Sequence, residues 1–413
     1  MRTISTLLLV WLLSAVTAQP EQAIRVLGLD LENATIPTDQ IFSGGPPPQG
    51  IPAIGFAGLE GVAGSTPAPQ FIAQEEAADW LAEVEPVIVV TLNGETKAYP
   101  LQILTWHEIA NDEIGGVPVA VTFCPLCNSA LAFDRRVPAA PGAGGTEDDA
   151  EQNDTGTEDA GAAVAEPADQ DTETVTFGVS GLLYLSNLLM FDDSTNTLWS
   201  QLIGEGVVGT YAGQELTRYP AQIISFEEFR DAFPDARVMS RQTGFSRSYG
   251  SNPYAGYDDA DSPPFLFRGD VDGRLPPKAR VVTIDAEEPA AYPFELLESE
   301  RVVHDEVAGS EIVVFWAPGT ASALDARQIS TSTDIGAVAA FERSIGDRVL
   351  TFDWDGEAFV DQETGTRWNI LGHGLEGPLA GEELEPVVHD NTLWFAWAAF
   401  RPETRIYRGS ERQ

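Results

Sequence analysis

The chain has 413 residues, of which 64 are acidic and 23 are basic, giving a formal net charge of −41. Such a polyanion repels nucleic acids and anionic lipids, so we expect neither as a partner. With 43% hydrophobic residues, 9 Trp and 20 Phe, the chain can bury a large core, and its length predicts two or three domains.

Residues 1–18 have the features of a secretory signal peptide. Arg2 precedes an apolar run from Leu7 to Val16, and small residues follow up to Ala18. The run is short for a membrane anchor, which favours cleavage after Ala18. We therefore expect a secreted or cell-envelope protein without a membrane span, in a compartment where disulfides persist.

The next segment, 19–84, is an N-terminal extension with a Gly/Pro-rich loop, "SGGPPPQGIPAIGF", from Ser43. Beyond it, β-branched runs such as "VIVVTL" and "VPVAVTF" predict strands, and "AYPLQIL" predicts a turn into a short helix. Residues 138–174 contain no aromatic or basic residue and are rich in Ala, Gly, Pro, Asp and Glu. This composition cannot offset the entropy of ordering, so it predicts a disordered acidic insertion.

An internal repeat organises the rest of the chain. "AYPLQILTWHEIANDEIGG" from Ala98 matches "AYPFELLESERVVHDEVAG" from Ala291 without a gap. Later, "TNTLW" ending at Trp199 matches "TGTRW" ending at Trp368, and similar runs of glycines follow both. Because Trp199 and Trp368 recur in both copies, we expect them in the core.

The repeat predicts the domain organisation and the fold class. Copy one spans 85–240, an aromatic inter-copy segment spans 241–277, and copy two spans 278–408. We expect a β-rich α+β fold in which a tandem duplication of one unit packs as a pseudo-symmetric pair.

The repeat also serves as an internal control for the functional residues. Four residues of copy one are replaced in copy two. They are His107 by Glu300, Glu108 by Arg301, Cys124 by Ala317, and Cys127 by Thr320. The fold therefore does not require His107 or the two thiols, and we interpret these three residues as a functional set confined to copy one.

Several stretches resemble a known family. "AYPLQILTWHEIANDEIGGVPVAVTFCPLCNSALAFDR", "FGVSGLLYLSNLLMFD", "TNTLWSQLIGEGVVG" and "NPYAGY" are similar to the domain of unknown function 3179 family, from about Ser43 to Tyr407. The resemblance implies an exported bacterial or archaeal protein and brings no established activity. The Gly/Pro-rich loop departs from the family pattern, because Pro48 and Gln49 stand where a charged pair is common.

The first interpretation of the functional set is a metal site. His107, Cys124 and Cys127 could hold Zn or Cu, since thiolates and imidazole suit both metals. One C-x-x-C pair without a second favours an open, three-ligand site over closed structural zinc. Covalent haem is excluded because Asn128, not His, follows the second cysteine.

Two other interpretations of the cysteines stay open. They could form a dithiol–disulfide redox couple, in which the loop geometry lowers one thiol pKa. They could also form a structural disulfide, although closing so short a loop stabilises little.

No motif in the sequence names a reaction, a substrate or a partner. Glu108 could orient His107 or act as a general base in an exported enzyme. The other class is a non-catalytic binding module that uses the aromatic segment 241–277.

Overall fold

The structure is a computed structural model that describes residues 20–45, 47–140 and 172–409. The predicted signal peptide and most of the predicted acidic insertion lie outside these residues. In the described part of the chain, no helix has the length and apolar character that crossing a membrane requires.

The fold is β-rich, with 38% of residues in strands and 12% in helices, which confirms the predicted β-rich class. Its α-helices are short, and they are α1 (Pro20–Leu27), α2 (Gln74–Ala77), α3 (Leu101–His107), α4 (Phe226–Ala232), α5 (Phe294–Glu300) and α6 (Trp394–Phe400). Two 3₁₀ turns add Thr38–Gln40 and Ile329–Thr331.

The strands of the first half are β1 (Phe42–Ser43), β2 (Phe71–Ile72), β3 (Pro86–Leu92), β4 (Glu95–Pro100), β5 (Ile109–Ile114), β6 (Val117–Cys124), β7 (Ser129–Asp134), β8 (Arg136–Pro138), β9 (Thr172–Thr174), β10 (Phe177–Tyr184), β11 (Asn187–Asp192), β12 (Leu198–Ser200), β13 (Glu205–Val208), β14 (Arg218–Tyr219), β15 (Gln222–Ser225) and β16 (Arg237–Met239). They form sheets in the orders β1-β10-β11-β12-β13, β14-β7-β6-β5 and β15-β3-β4-β16-β2, plus the β8-β9 pair.

The strands of the second half are β17 (Arg280–Ile284), β18 (Ala290–Pro293), β19 (Val302–Val307), β20 (Ser310–Ala317), β21 (Ala337–Glu342), β22 (Ser344–Ile345), β23 (Arg348–Val349), β24 (Phe352–Trp354), β25 (Phe359–Asp361), β26 (Arg367–Trp368), β27 (Gly374–Glu376), β28 (Asp390–Leu393) and β29 (Arg405–Ile406). Their sheets have the orders β28-β17-β18-β29, β19-β20-β21 and β24-β25-β26-β27, plus the β22-β23 pair.

The ends of the predicted acidic insertion are ordered. Pro138 of β8 pairs with Thr172 of β9, and Arg136 pairs with Thr174. The boundaries predicted at 138 and 174 therefore lie inside an antiparallel ladder, which brings the two ends of the segment together.

The predicted core tryptophans are fully buried in both halves. Trp199 donates its indole N–H to Asp192 at 2.9 Å, and Trp368 donates to Asp361 at 3.0 Å. Burying the two carboxylates is tolerated because each is bonded by this N–H and by groups of the turn that follows it.

Candidate functional site

The two cysteines lie on a tight turn between β6 and β7. Cys124 is the last residue of β6 and pairs with Ser129, the first residue of β7. Within the turn, the Cys127 amide donates to the Cys124 carbonyl at 3.1 Å, and Asn128 adopts a left-handed φ of 53°. Asparagine tolerates this backbone region better than most residues, so the sequence favours the turn locally.

Both cysteines are buried and form no disulfide, and the Cys127 thiol is placed to donate to the Cys124 sulfur or, at 3.6 Å, to the Ser186 carbonyl. Burial raises the pKa of Cys124, but the hydrogen bond from Cys127 and the backbone N–H groups of Leu188, Cys127 and Leu126 outweigh it, so the net pKa is lowered. The pKa of Cys127 is raised well above its ordinary value, first by burial and then by its hydrogen bond to Cys124. The pair therefore loses its first proton from Cys124, while Cys127 stays protonated.

Glu108 is a buried carboxyl beside Cys124. It follows α3 directly with a left-handed φ of 61°, and only 7% of it is exposed. Burial, with the charge of Cys124 as a second cause, raises its pKa well above the ordinary value. No hydrogen bond joins its carboxyl oxygens to any side chain or backbone group of the described residues. The raised pKa favours the protonated form of the Glu108 carboxyl, which can donate a hydrogen bond.

Glu108 lines an apolar cavity of about 240 Å³. Leu126 and Leu188, whose backbone N–H groups face the Cys124 sulfur, line the same cavity. One wall comes from the Gly/Pro-rich loop, where Ser43 pairs with Leu182 of β10. The loop that the sequence singled out thus forms part of the wall beside the dithiol.

The predicted aromatic inter-copy segment covers the cysteine turn. Tyr257 donates its hydroxyl to the Leu126 carbonyl at 2.9 Å. The Tyr254 ring lines the cavity, and burial followed by the charges of Glu108 and Cys124 raises its pKa well above normal. Its hydroxyl, like the carboxyl of Glu108, has no hydrogen-bond partner among the described residues.

The structure does not bring His107 to the two sulfurs. Its Nδ1 lies 2.7 Å from the Pro52 carbonyl, and its Nε2 lies 2.7 Å from the Tyr249 hydroxyl. A carbonyl only accepts, so Nδ1 carries the proton and Nε2 accepts from Tyr249. Burial lowers the pKa of His107 to about 4, so the ring is neutral. Both nitrogens are occupied, and the expected convergence of His107, Cys124 and Cys127 on one point does not occur.

Within the described ranges, no three His, Cys, Asp or Glu side chains are arranged to hold a metal ion. His304 and His389 also have backbone partners: His304 accepts from the Phe352 amide, and His389 bonds the Val387 carbonyl. Cys124 and Cys127 are thus paired only with each other among the residues predicted as ligands.

A buried polar network that the sequence analysis missed extends from Cys127. Asn187 donates to the Cys127 sulfur at 3.6 Å and to Gln201 Oε1 at 3.0 Å. Gln201 donates in turn to Ser129, whose hydroxyl donates to Asp390 at 2.6 Å. Asp390 is buried, and burial raises its pKa to about 7. No motif marks these residues, and Asp390 comes from the far end of the chain.

The second half of the chain holds the cysteine turn in place. Strand β28 donates two hydrogen bonds to the Cys127 carbonyl, from the Leu393 amide at 2.8 Å and from the Thr392 hydroxyl at 2.9 Å. Asn128 donates to the Asn391 carbonyl at 3.1 Å. The site in the first half of the chain is therefore completed by backbone and side chains from the second half.

The sequence resemblance is confirmed by a match over most of the chain. The family described as "Protein of unknown function (DUF3179)" matches residues 48–404. The chain belongs to this family. No curated protein and no solved structure matches it. The matched residues of the DUF3179 protein include both cysteines, Glu108 and strand β28, whereas the cavity wall at Ser43 precedes them.

Proposed function

We propose that the protein is a dithiol–disulfide redox protein in which Cys124 is the attacking thiolate and Cys127 the resolving thiol. The observation that carries the proposal is the pair of buried sulfurs, which form no disulfide and of which Cys127 donates to Cys124, next to the carboxyl of Glu108. A purely structural pair would not require an ionisable carboxyl next to it, since burying such a group costs free energy.

The chemistry follows from the three groups. The Cys124 thiolate attacks one sulfur of a substrate disulfide, breaking that S–S bond and forming a mixed disulfide, and the leaving thiolate takes the Glu108 proton. Cys127 then passes its proton to the Glu108 carboxylate and attacks Cys124. The Cys124–Cys127 disulfide forms, the second substrate thiolate leaves, and two electrons have moved from the protein to the substrate.

Metal binding is the second candidate. Zn or Cu at His107, Cys124 and Cys127 stays a prediction, but the hydrogen bonds of His107 favour a site made of the two sulfurs alone. Two thiolates without a third ligand suit Cu(I) better than Zn. The alternative of a non-catalytic binding module relied on aromatic residues of segment 241–277 that would be free to bind a partner. It is less favoured because Tyr254 and Tyr257 of this segment pack over the cysteine turn.

We propose export for the same protein, on the N-terminal pattern of residues 1–18. An extracytoplasmic compartment lacks the cytosolic reducing systems, so a dithiol there can cycle between its two states.

We also propose that the two halves arose by tandem duplication. The sheet β15-β3-β4-β16 has antiparallel and parallel pairs in the same order as β28-β17-β18-β29. Tyr99 donates to Asp112 as Tyr292 donates to Asp305. These equivalences support aligning the two halves, and in that alignment the second half has no cysteine at the positions of Cys124 and Cys127.

The redox proposal is tested by equilibrating the mature protein in mixtures of reduced and oxidised dithiothreitol. After an acid quench and unfolding, alkylation with a maleimide-linked polymer counts the free thiols. We expect one two-electron transition, which the Cys124→Ser and Cys127→Ser variants lack. Thiols that stay reduced in every mixture, together with one metal ion per chain that both variants lose, would contradict the redox function and favour the metal.

A further inference from the structure

The cavity beside the dithiol is closed by apolar side chains and ends on two unpartnered hydrogen-bond donors. Its walls include Ile51, Val179, Leu182, Leu183 and Leu188. Among the described residues that line it, the ionisable ones are Glu108 and Tyr254. Neither the carboxyl nor the hydroxyl has a partner in the described part of the chain. Both residues line the cavity, so a ligand that supplies acceptors can bond to the two groups there.

The size of the cavity limits the ligand to one or two rings. A buried cavity of about 150 Å³ is enough for benzene, whereas this cavity measures about 240 Å³. The described residues of the walls include no basic side chain, so an anionic or peptide-like disulfide would lose its hydration there without gaining a partner. A flat, apolar molecule with carbonyl oxygens satisfies both the shape and the donors.

Cys124 lies next to residues that line this cavity. Four of them interact with its sulfur: Leu126 and Leu188 through their backbone N–H groups, and Glu108 and Tyr254 through their charges. A molecule whose carbonyl oxygen accepts from Glu108 is therefore placed next to the thiol that loses its proton first. Phe265, which is 50% exposed, forms part of the rim through which a ligand would enter.

We propose that the cavity binds a small quinone, which oxidises the Cys124–Cys127 dithiol. The proposal rests on the redox function above, and in it the quinone takes the two electrons of the dithiol in place of a substrate disulfide. In the balanced step, two S–H bonds break, one S–S bond forms, and two electrons and two protons convert the quinone to the hydroquinone. Glu108 and Tyr254 donate hydrogen bonds to one quinone oxygen, and the thiols supply the protons that the product keeps.

The test uses the reduced mature protein under anaerobic conditions with 2,3-dimethyl-1,4-naphthoquinone, whose substituted ring carbons resist direct thiol addition. Hydroquinone formation is followed by absorbance, and thiol loss by alkylation. We expect one hydroquinone and one disulfide per chain. Tyr254→Phe removes only the hydroxyl and should weaken quinone binding about 2- to 10-fold, as expected for one hydrogen bond.

A second variant tests the cavity itself. Leu183→Trp should fill it and slow hydroquinone formation at least tenfold. Ile335→Trp is the matched control, because Ile335 lines a separate cavity of about 520 Å³, and we expect its rate to equal that of the wild type. If Leu183→Trp fails to fold, the quinone affinity of Tyr254→Phe is the test of the cavity, and an affinity equal to that of the wild type would contradict binding there.

The possible failures are distinguishable. A protein whose dithiol cycles with dithiothreitol but does not reduce the quinone overturns this inference and leaves the redox function standing. Reduction of an apolar aryl disulfide, but not of the quinone, overturns the quinone class. A dithiol that cycles with neither reagent overturns both proposals.

Discussion

The hydroxyl of Ser129 donates to the carboxyl of Asp390 at 2.6 Å, which links the end of the cysteine turn to the last sheet of the second half. The Ala130 amide donates to the other oxygen at 3.0 Å. Burial and Cys124 are the main causes of the raised pKa of Cys127, and the charge of Asp390 adds a smaller one. A residue from the other half of the chain thus contributes to holding the proton that the resolving thiol must release.

Asp390→Asn should change how stability depends on pH. The folded-state pKa of Asp390 is about 7, and an unfolded Asp titrates near 3.9, so between these values only the folded chain holds the proton. The stabilisation from this proton is complete below about pH 4 and is lost as the pH rises towards 7. Between pH 5 and 8 the wild type should therefore lose about 2–3 kcal/mol that the variant keeps.

Urea unfolding of both proteins at pH 5 and pH 8 measures this difference. Glu108 also has a raised pKa, but it is present in both proteins and cancels in the comparison. Parallel pH dependences of the wild type and the variant would show that Asp390 does not keep its proton in the folded state.

The two cysteines should differ in a trapping experiment. In Cys127→Ser the Cys124 thiolate can attack a small apolar disulfide, but no second thiol resolves the product, so the mixed disulfide accumulates. In Cys124→Ser the remaining thiol has the raised pKa and should give at least tenfold less adduct. Intact mass spectrometry after acid quench measures both. Equal trapping by the two variants would contradict the assignment of attacking and resolving thiols.

His107→Ala should destabilise the protein without changing the dithiol. The substitution removes the hydrogen bonds to Pro52 and Tyr249 and leaves a small cavity, for a cost of about 2–4 kcal/mol in the free energy of unfolding. The dithiothreitol midpoint should stay within about twofold of wild type. His304→Ala is the control, since it loses one backbone partner far from the cysteines. If the wild type binds a metal ion that His107→Ala loses and His304→Ala keeps, the result would support the three-ligand metal site.

The sequence predicted the local features of the site better than its long-range partners. The β-branched run before Cys124 forms strand β6, and the turn chemistry of Asn128 follows from its residue type. His107 and Glu108 were expected to act together because they are neighbours in sequence. The left-handed backbone at Glu108 ends the helix there, so His107 bonds Pro52 and Tyr249 whereas Glu108 lines the cavity. The periodicity of the sequence does not predict such a turn.

Residues distant in sequence were the part that could not be predicted. Asp390, Thr392 and Leu393 reach the cysteine turn only because β28 packs against β7, and packing between two sheets is not encoded by any local pattern. Asn187 and Gln201 are buried polar residues whose role depends on each satisfying the other. The resemblance of "NPYAGY" to the family did mark the neighbourhood of Tyr254, although not its contact with the cavity.

Deleting residues 142–171 should leave the fold intact and stabilise it slightly. The flanking strands pair at Pro138 and Thr172, so a short turn can join them. A shorter closed loop costs less entropy, which predicts a gain of about 1–2 kcal/mol in the free energy of unfolding. Urea denaturation compares the two proteins, and the dithiothreitol midpoint serves as the control for the site. A deletion protein that unfolds at lower urea than the wild type would show that the segment contributes to the folded state.

Trp199→Phe and Trp368→Phe should destabilise the protein by similar amounts, because the two tryptophans have equivalent environments in the two halves. Each is fully buried and donates its indole N–H to a buried carboxyl, of Asp192 or of Asp361. Losing that bond and part of the ring volume should cost about 2–4 kcal/mol in either half. The control is Trp354→Phe: this ring is only partly buried and has no indole hydrogen bond within the described residues, so it should cost less than about 1 kcal/mol. Chemical denaturation of the three variants gives the comparison. A severe effect at Trp199 with none at Trp368 would count against equivalent cores, and with them against duplication as the origin of the two halves.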